Sequence, residues 1–356
     1  MNLKFNVNEM KEYTKKEKLP FILHWNLTDF CNLKCSHCCV PKHPIFFEKD
    51  EALKLIDFIK EKGFFLITLS GGECMLHPDF KEIYMALKRA GMYINIFTNG
   101  TTLTDDKKEL FKQYPPRKVE VSVYGIDEQT FFETTGCRNG YSSFLETLQF
   151  LKDNNIRTVV KSPITTKNAN WLHRYISLAN DYNAEYKFGT FVFPMLDGDK
   201  KPLEERLNYI DAVDIEFSDE KSLYGFADRV NSKGKYAEPF SNKCSACTNS
   251  FTVNADASFS FCGMMTEPRF AFDKGIENAF NNVLEYKEKV ISMYDNGPCK
   301  ACKFANACPG CPAHLLLETG DYITCNEYFK NITKCKLNYL QDKGLLNDPS
   351  FLSEYF

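Results

Sequence analysis

The sequence predicts an α/β protein in which a parallel sheet and its helices are followed by a small cysteine-rich domain. From residue 21 to about 193, apolar runs typical of strands alternate with helical patterns six times. This alternation favours a parallel sheet, either open and doubly wound or closed into a barrel. The cysteines are distributed unevenly: six of the fifteen lie in the first 240 residues and nine between 244 and 335.

The alternating elements follow one another in a regular order. The strand-like runs are residues 21–27, 64–70, 93–100, 119–125, 156–164 and 185–193. The helical patterns between them are residues 48–63, 77–91, 104–113, 140–155 and 168–182. In the first helix Leu53, Ile56 and Ile59 share one face, and Gly63 and Gly91 stand where glycines end helices. Functional side chains of such sheets collect at the carboxyl ends of the strands.

Composition and charge exclude several classes of protein. Hydrophobic residues make up 44% and charged residues 26% of the chain, as in globular proteins. The net charge is -3 without long runs of like charge, so we expect neither nucleic acid nor a membrane as a partner. Apolar stretches fall far short of the roughly 18 residues of a spanning helix. The polar first twenty residues do not resemble a secretory signal. The prediction is a cytoplasmic protein.

The same composition predicts five segments along the chain. They are an N-terminal extension (1–20), the strand–helix domain (21–193), a charged bridging region (194–239), the cysteine-rich domain (240–340) and a C-terminal tail (341–356). In a reducing cytosol, clustered cysteines bind metal or do chemistry more often than they form disulfides. We therefore expect metal, rather than core burial, to hold the cysteine-rich domain together.

Three cysteines follow the first predicted strand at the spacing C-x3-C-x2-C. They are Cys31, Cys35 and Cys38, and Cys39 follows immediately. A structural metal site is closed by four protein ligands, whereas three ligands leave one position open for a substrate or cofactor. Taken alone, the motif could be a zinc site or incidental.

This motif after a first strand resembles the signature of the radical S-adenosylmethionine (SAM) superfamily. The resemblance implies a partial (β/α)6 TIM-like barrel and a four-iron four-sulfur cluster held by Cys31, Cys35 and Cys38, with SAM on the fourth iron. His37 fills the family's aromatic position, where the ring is expected near adenine.

Further residues at successive strand ends match the same family. Gly71, Gly72 and Glu73 correspond to the family's element that grips the SAM amino group, and Glu73 could accept from an ammonium. The remaining positions that in relatives face SAM are Thr98, Asn99, Ser122 and Lys161.

The C-terminal cysteines, read alone, could build a zinc ribbon. Beside the first motif they resemble the SPASM extension, which binds two auxiliary four-iron clusters, each needing about four thiolates. The resemblance assigns Cys244, Cys247, Cys262 and Cys311 to an inner cluster. It assigns Cys299, Cys302, Cys308 and Cys325 to an outer cluster. The sequence departs from the family pattern in two places: Ala257 stands where the family has glycine, and two residues rather than three separate Cys308 and Cys311. Cys335 is an alternative to Cys325 as the last ligand of the outer cluster. Zinc is an alternative to a cluster at the outer site.

Four cysteines remain outside these assignments, namely Cys39, Cys74, Cys137 and Cys335. A free cysteine is ordinarily a small buried hydrophobe. Cys74, directly after Glu73, and Cys137 are candidate hydrogen-atom donors to a substrate radical, as in peptide epimerases of this superfamily. Cys39 is expected to lie beside the site without binding iron.

The resemblance also implies an activity. One electron from a flavodoxin or ferredoxin would cleave SAM, and the resulting 5'-deoxyadenosyl radical would abstract hydrogen from a peptide or protein, giving a crosslink, an oxidation or an epimerisation. About twenty residues precede the first strand, so we expect either a separate leader-recognition protein or direct reading of the peptide. Alternatives are an anaerobic sulfatase-maturing enzyme that forms formylglycine, a small-molecule radical SAM oxidase, and a non-enzymatic zinc-binding interaction protein.

Overall fold

The computed structural model describes residues 6–232 and 243–347, which divide into two units. The first unit contains Met1–Ser162, Asn170–Phe188 and Ser245–Lys287. The second unit contains Pro163–Ala169, Gly189–Cys244 and Glu288–Phe356. This division does not test the domain limits predicted from the sequence, which stay a prediction.

The first unit is built on one sheet with the strand order β6-β5-β4-β3-β2-β1-β7-β8-β9. The strands are β1 (Ile22–Thr28), β2 (Leu66–Gly71), β3 (Tyr93–Thr98), β4 (Lys118–Ser122), β5 (Thr158–Pro163), β6 (Glu185–Gly189), β7 (Ser250–Asn254), β8 (Ser258–Ser260) and β9 (Phe270–Ala271). Pairing is parallel from β1 to β5 and between β1 and β7, and antiparallel from β7 to β9. The sheet is not closed, which confirms the predicted α/β class and the partial barrel.

Twelve α-helices lie within the described residues. They are α1 (Val7–Lys16), α2 (Lys49–Glu61), α3 (Phe80–Arg89), α4 (Asp105–Gln113), α5 (Glu128–Thr135), α6 (Gly140–Asp153), α7 (Leu172–Asp181), α8 (Tyr209–Phe217), α9 (Glu220–Ser232), α10 (Ile276–Asp295), α11 (Pro312–Thr319) and α12 (Glu327–Asp342). None of these helices combines the length and the apolar character needed to span a membrane.

The two faces of the sheet differ in chemistry because side chains alternate along each strand. On β1, Leu23, Trp25 and Leu27 are fully buried, whereas His24 and Asn26 between them are half-buried. The strand register places polar side chains of the neighbouring strands on the same face as His24 and Asn26. Its further members are Thr68, Ser70, Asn95, Glu120, Ser122 and Lys161. One face is therefore the apolar core and the other is a polar surface, which we call the polar face.

Several elements differ from the prediction. Helices α1 and α5 and strands β7 to β9 were not predicted, and the cysteine-rich part contains the long helices α10 and α12. Leu53 does not share the buried face of α2, since 41% of it is exposed, whereas Ile56 and Ile59 are buried as predicted and Leu55 is buried with them. Strand β6 alternates between exposed and half-buried residues, so it is not the buried strand that we predicted.

The second unit packs helices around buried ion pairs. Lys336 on α12 lies 2.6 Å from Glu216 on α8, with only 4% of the lysine side chain exposed. Arg206 forms a salt bridge with Glu318 on α11, and both side chains are buried. A buried charge is tolerated only when it is paired, so these pairs constrain which helices can pack together.

Candidate functional site

The cysteine loop, residues 29–39, begins where β1 ends, and hydrogen bonds from several segments fix it. Thr28 Oγ1 donates to Ile45 O at 2.6 Å and accepts from the Phe30 N–H at 2.9 Å. The Lys34 N–H donates to Thr135 O at 2.7 Å. The chain itself thus fixes the loop at its start and at its middle.

The three thiols of the C-x3-C-x2-C motif lie close enough to influence one another. Burial raises the pKa of Cys31 and of Cys35, and the neighbouring Cys38 thiol raises both further. Burial also raises the pKa of Cys39 to about 11, and the neighbouring Cys38 thiol raises it further. Three gathered thiols are the donor set that a four-iron cluster with one open iron requires, so these residues fit that group.

A site for a single metal ion differs from a cluster site, because its ligands must converge on one atom whereas each thiolate of a cluster binds a different iron. Within residues 6–232 and 243–347, no three His, Cys, Asp or Glu side chains are grouped so that they could hold one metal ion.

Two aromatic rings lie beside the motif. The His37 ring lies 5.6 Å from the ring of Tyr124, measured between centroids. Tyr124 follows β4, and burial, together with the three motif thiols, raises its pKa well above the ordinary value, although Ser122 hydrogen-bonds to it. The sequence analysis identified His37 and Ser122 but missed Tyr124, whose only sequence signal was its position two residues after Ser122.

Gly71 ends β2 and Gly72 follows it, and both lie against the chain's own backbone. A Cβ on Gly71, which has φ +129°, would lie 2.1 Å from Thr28 O, and one on Gly72 would lie 2.3 Å from Phe30 O. The Gly72 N–H donates to Thr28 O at 2.7 Å. The closest contacts of both glycines are with the end of β1 and the start of the cysteine loop, and their part in binding SAM stays a prediction.

The Glu73 carboxylate is turned towards the end of β3 and is only 1% exposed. The Thr98 hydroxyl lies 3.0 Å from both carboxylate oxygens, and the Asn99 N–H donates to Oε2 at 2.7 Å. The Met75 N–H donates to Oε1 at 3.2 Å. Burial nevertheless raises the pKa of Glu73. The structure brings Glu73, Thr98 and Asn99 together, but it directs this carboxylate to its own chain.

Ser122 and Lys161 lie opposite each other on β4 and β5, as the register pairs them. Lys161 Nζ lies 3.1 Å from Glu120 Oε2 and 3.4 Å from the centroid of the Phe97 ring. Lys118 also pairs with Glu120. Burial alone would raise the pKa of Glu120, yet the two ammonium groups hold that pKa below its ordinary value. The polar face thus carries two lysines paired with one carboxylate on the neighbouring strands β4 and β5.

The two candidate hydrogen-atom donors lie in different surroundings. Cys74 is fully buried and its Sγ lies 3.3 Å from Phe97 O. Cys137 is half-buried between α5 and α6, and its N–H donates to Thr135 Oγ1 at 3.2 Å. Because Thr135 also accepts from Lys34, the Cys137 segment touches the cysteine loop. The donor role stays a prediction for both, and only Cys137 has the exposure that such a role requires.

In the second unit, four thiols influence one another. Burial raises the pKa of Cys299 to about 11, and Cys308, Cys302 and Cys325 raise it in that order. Cys302 and Cys325 likewise raise the pKa of Cys308, after burial. These are the four cysteines assigned to an outer cluster.

Cys335 has other neighbours. Burial raises its pKa first, and the charged groups near it are Asp214 and Lys336 rather than other thiols. The Cys325 pKa, by contrast, is raised by burial and then by Cys302. Of the two competing cysteines, the structure therefore brings Cys325 to the other thiols.

The cysteines assigned to an inner cluster belong to both units. Cys247 and Cys262 lie in the first unit, and Cys244 and Cys311 lie in the second, where Cys244 raises the Cys311 pKa after burial. This set stays a prediction. Ala257, which replaces the family's glycine, has φ +56°, so the backbone keeps the left-handed conformation that glycine favours.

These observations define an α/β protein with a three-thiol site at the carboxyl end of an open parallel sheet. Residues 25–169 match the family model described as the Radical SAM superfamily. The chain therefore contains a radical SAM domain, and that family implies a SAM-binding four-iron cluster.

Two relatives are similar in sequence. An AdoMet-dependent heme synthase from Methanosarcina barkeri is 24% identical over 339 residues, which is 87% of this chain and 96% of that protein. The sporulation killing factor maturation protein SkfB from Bacillus subtilis is 29% identical over 154 residues, which is 42% of this chain and 37% of SkfB. The similarity to SkfB is thus confined to part of both chains.

Two solved structures share the fold. Streptococcus suis SuiB bound to its precursor peptide SuiA has a TM-score of 0.70 and 13% identity, covering 93% of this chain and 83% of SuiB. anSMEcpe with bound AdoMet and the Cp18Cys peptide has a TM-score of 0.69 and 16% identity, covering 91% of this chain and 97% of that chain. At these identities the likeness concerns the fold alone.

Proposed function

We propose that this protein reductively cleaves SAM and abstracts a hydrogen atom from a peptide or protein, in the maturation of a ribosomally made peptide. The observation that carries the proposal is the gathered set of Cys31, Cys35 and Cys38 at the end of β1. The peptide substrate is supported by SkfB, whose name describes a maturation protein, and by the two peptide-bound structures with this fold.

The chain's own residues would bind and orient the reactants. Cys31, Cys35 and Cys38 would hold the cluster, which with SAM supplies a 5'-deoxyadenosyl radical when reduced. His37 and Tyr124 would present rings to the adenine, and the Lys161 ammonium would attract the SAM carboxylate across the polar face. The Gly71 and Gly72 backbone, rather than the enclosed Glu73 carboxylate, would then face the amino group.

We further propose two auxiliary clusters, as in SPASM proteins. The outer one is supported by the mutual influence of Cys299, Cys302, Cys308 and Cys325. The inner one rests on the cysteine spacing and on the left-handed backbone at Ala257. A flavodoxin or ferredoxin electron donor and a separate leader-recognition protein belong to this proposal.

A second candidate is a small-molecule substrate that carries carboxylates. The similarity to the AdoMet-dependent heme synthase spans 87% of this chain and 96% of that protein. Heme is a small molecule that carries carboxylates. Burial lowers the pKa of Lys11, and the nearby cations Lys118, Arg117 and Lys187 lower it further, whereas Glu120 raises it. This excess of positive charge favours an anionic substrate.

One experiment tests the radical chemistry and separates the substrates. Anaerobically reconstituted protein is reduced with dithionite in the presence of SAM, and 5'-deoxyadenosine is measured with a peptide encoded beside the gene or with an iron porphyrin bearing propionates. Deoxyadenosine that requires Cys31, Cys35 and Cys38 supports the proposal, and the substrate that changes mass identifies the class. No deoxyadenosine under any condition contradicts it.

Metal content gives an independent test. We expect about twelve irons per chain, falling to about eight when Cys31, Cys35 and Cys38 are all changed to alanine, since each cluster holds about four. A content of about four irons together with zinc would contradict the two auxiliary clusters. Zinc without iron would contradict the radical chemistry and favour the non-enzymatic zinc-binding protein.

A further inference from the structure

The Asn99 side chain uses its whole hydrogen-bonding capacity within the chain. An amide offers two N–H donors and one oxygen with two acceptor sites. Asn99 Nδ2 donates to Asn32 Oδ1 at 2.9 Å and to Cys31 Sγ at 3.8 Å. Its Oδ1 accepts from the Thr101 N–H at 2.9 Å and from Thr101 Oγ1 at 2.7 Å. The amide therefore has no hydrogen-bonding site left for SAM.

The orientation of this amide is fixed by chemistry. The Thr101 backbone N–H can only donate, so the amide atom that faces it must be the oxygen. The nitrogen then faces Cys31 and Asn32. Asn99 is only 4% exposed, so water cannot readily replace these partners.

Glu73 is hydrogen-bonded to the backbone of Asn99. Its Oε2 accepts from the Asn99 backbone N–H at 2.7 Å, and its carboxylate is as enclosed as the Asn99 amide. The residues Glu73, Asn99 and Cys31 thus form one hydrogen-bonded bridge, which joins the segments that follow β2, β3 and β1. We call it the Glu73–Asn99–Cys31 bridge.

We propose that Asn99 is a positioning residue for the cluster ligand Cys31: its amide fixes the thiolate and donates an N–H···S hydrogen bond to it, and it is not a contact of SAM. The inference rests on the proposed function, because it requires a cluster at Cys31. Hydrogen bonds to cluster sulfurs are among the features that set a reduction potential. A donor favours the reduced, more negative cluster, so the Asn99 amide raises the potential and eases the electron transfer that SAM cleavage needs.

Cys31 has a second donor that serves as a reference. The Leu33 backbone N–H lies 3.4 Å from Cys31 Sγ and is present in every side-chain variant. Changing Asn99 therefore removes one of two N–H groups at this sulfur, and the effect should be a partial shift of the potential rather than loss of the cluster.

The test compares Asn99→Ala with Asn32→Ala in the reconstituted holoenzyme. Asn32→Ala removes the neighbouring acceptor, but Thr101 still orients the Asn99 amide towards Cys31. The midpoint potential of the SAM-binding cluster is measured by EPR-monitored titration without SAM; the signal is identified by its absence when Cys31, Cys35 and Cys38 are changed to alanine. SAM affinity is measured in parallel.

We expect Asn99→Ala to lower the midpoint potential beyond titration error, Asn32→Ala to leave it unchanged, and SAM affinity to change less than two-fold in both. An unchanged potential in Asn99→Ala overturns the inference, even if the variant is less stable. A loss of SAM affinity with an unchanged potential would return Asn99 to the SAM contact expected from the sequence. Absence of this cluster from the wild-type protein would instead contradict the proposed function.

A second measurement covers the case in which Asn99→Ala does not take up iron. In apo protein, the alkylation rate of Cys31 by iodoacetamide is followed by mass spectrometry, with Cys137 as the internal reference. Loss of the N–H donor should lower the thiolate fraction of Cys31 and slow its alkylation about five-fold, which corresponds to one hydrogen bond, and leave Cys137 unchanged. Equal rates in wild type and variant overturn the inference.

Discussion

Lys161 Nζ lies 3.1 Å from Glu120 Oε2 across two neighbouring strands, and the Phe97 ring lies against the same ammonium. Burial lowers the pKa of Lys161, and Glu120 is the group that opposes this shift. The ammonium is therefore held between the Glu120 carboxylate and the Phe97 ring, although most of its surface is removed from water. A fixed cation on the polar face can select for an anionic group of a ligand.

The first prediction concerns this ammonium and SAM. Lys161→Met should weaken SAM binding about ten-fold, because it removes one charge-assisted hydrogen bond. Binding of decarboxylated SAM, which lacks the carboxylate, should change little. Anaerobic calorimetry with both ligands checks this. Lys118→Met is the matched control, since Lys118 also pairs with Glu120; equal losses for both ligands would contradict the assignment.

The second prediction concerns the approach of the cysteine loop to β2. A Cβ at Gly72 would lie 2.3 Å from Phe30 O, which is backbone and cannot move aside. Gly72→Ala should therefore displace the loop, reduce the iron content by about four and lower the melting temperature. Gly189→Ala is the control, because a Cβ there has no atom within 4 Å. Normal iron content in Gly72→Ala would show that the loop tolerates the displacement.

The third prediction decides between two cysteines. Cys325→Ser should lose about four irons, whereas Cys335→Ser should keep them, because Cys325 lies near Cys302 and Cys335 lies near Asp214 and Lys336. Iron analysis together with EPR of each reconstituted variant measures this. The reverse pattern would assign the fourth ligand to Cys335.

The fourth prediction is a dependence of stability on pH. His77 is buried; its Nδ1 accepts from the Asp79 N–H at 3.0 Å, so Nε2 carries the proton and lies 2.8 Å from Phe47 O. Burial lowers the pKa of His77, so the folded state binds fewer protons than the unfolded state below about pH 6.5. Stability should be unaffected above that pH and fall as the pH decreases towards the folded-state pKa.

Urea unfolding of wild type and His77→Gln at several pH values measures this contribution. The difference between the two proteins cancels the other titrating groups. It should grow below about pH 6.5, at up to about 1.4 kcal/mol per pH unit, in the sense that the wild type loses more stability. A difference in unfolding free energy that does not change with pH would contradict the prediction, because it would mean that protonation of His77 does not destabilise the folded state.

Much of the first unit could be predicted because its elements carry strong local signals. Apolar runs at 93–100 and 119–125 correspond to β3 and β4, and Gly63 and Gly91 end helices with positive φ. Strand β7 was missed because its pairing with β1 joins residues more than 220 positions apart, as in Ile22 with Ser250. No local pattern records a partner at that distance.

The site shows the same division between local and non-local information. The cysteine spacing, His37 and the positions of Ser122 and Lys161 could be taken from the sequence. The enclosure of Glu73 and Asn99 could not, because it depends on where three separate segments meet. The sequence motifs identify candidate site residues, whereas only the contacts in the structure distinguish a side chain that can bind a ligand from one that is hydrogen-bonded to its own chain.

The pairing of β7 with β1 has a consequence for any attempt to isolate the catalytic domain. A fragment ending near residue 193 would contain all of the matched residues 25–169 but would lack β7 to β9. The strand that leads into the cysteine loop would then expose a row of unpaired N–H and C=O groups along its edge. Exposed strand edges promote association between chains, so the shortened protein should aggregate through β1. The polypeptide around residues 250–271 thus protects the strand that carries the cysteine motif.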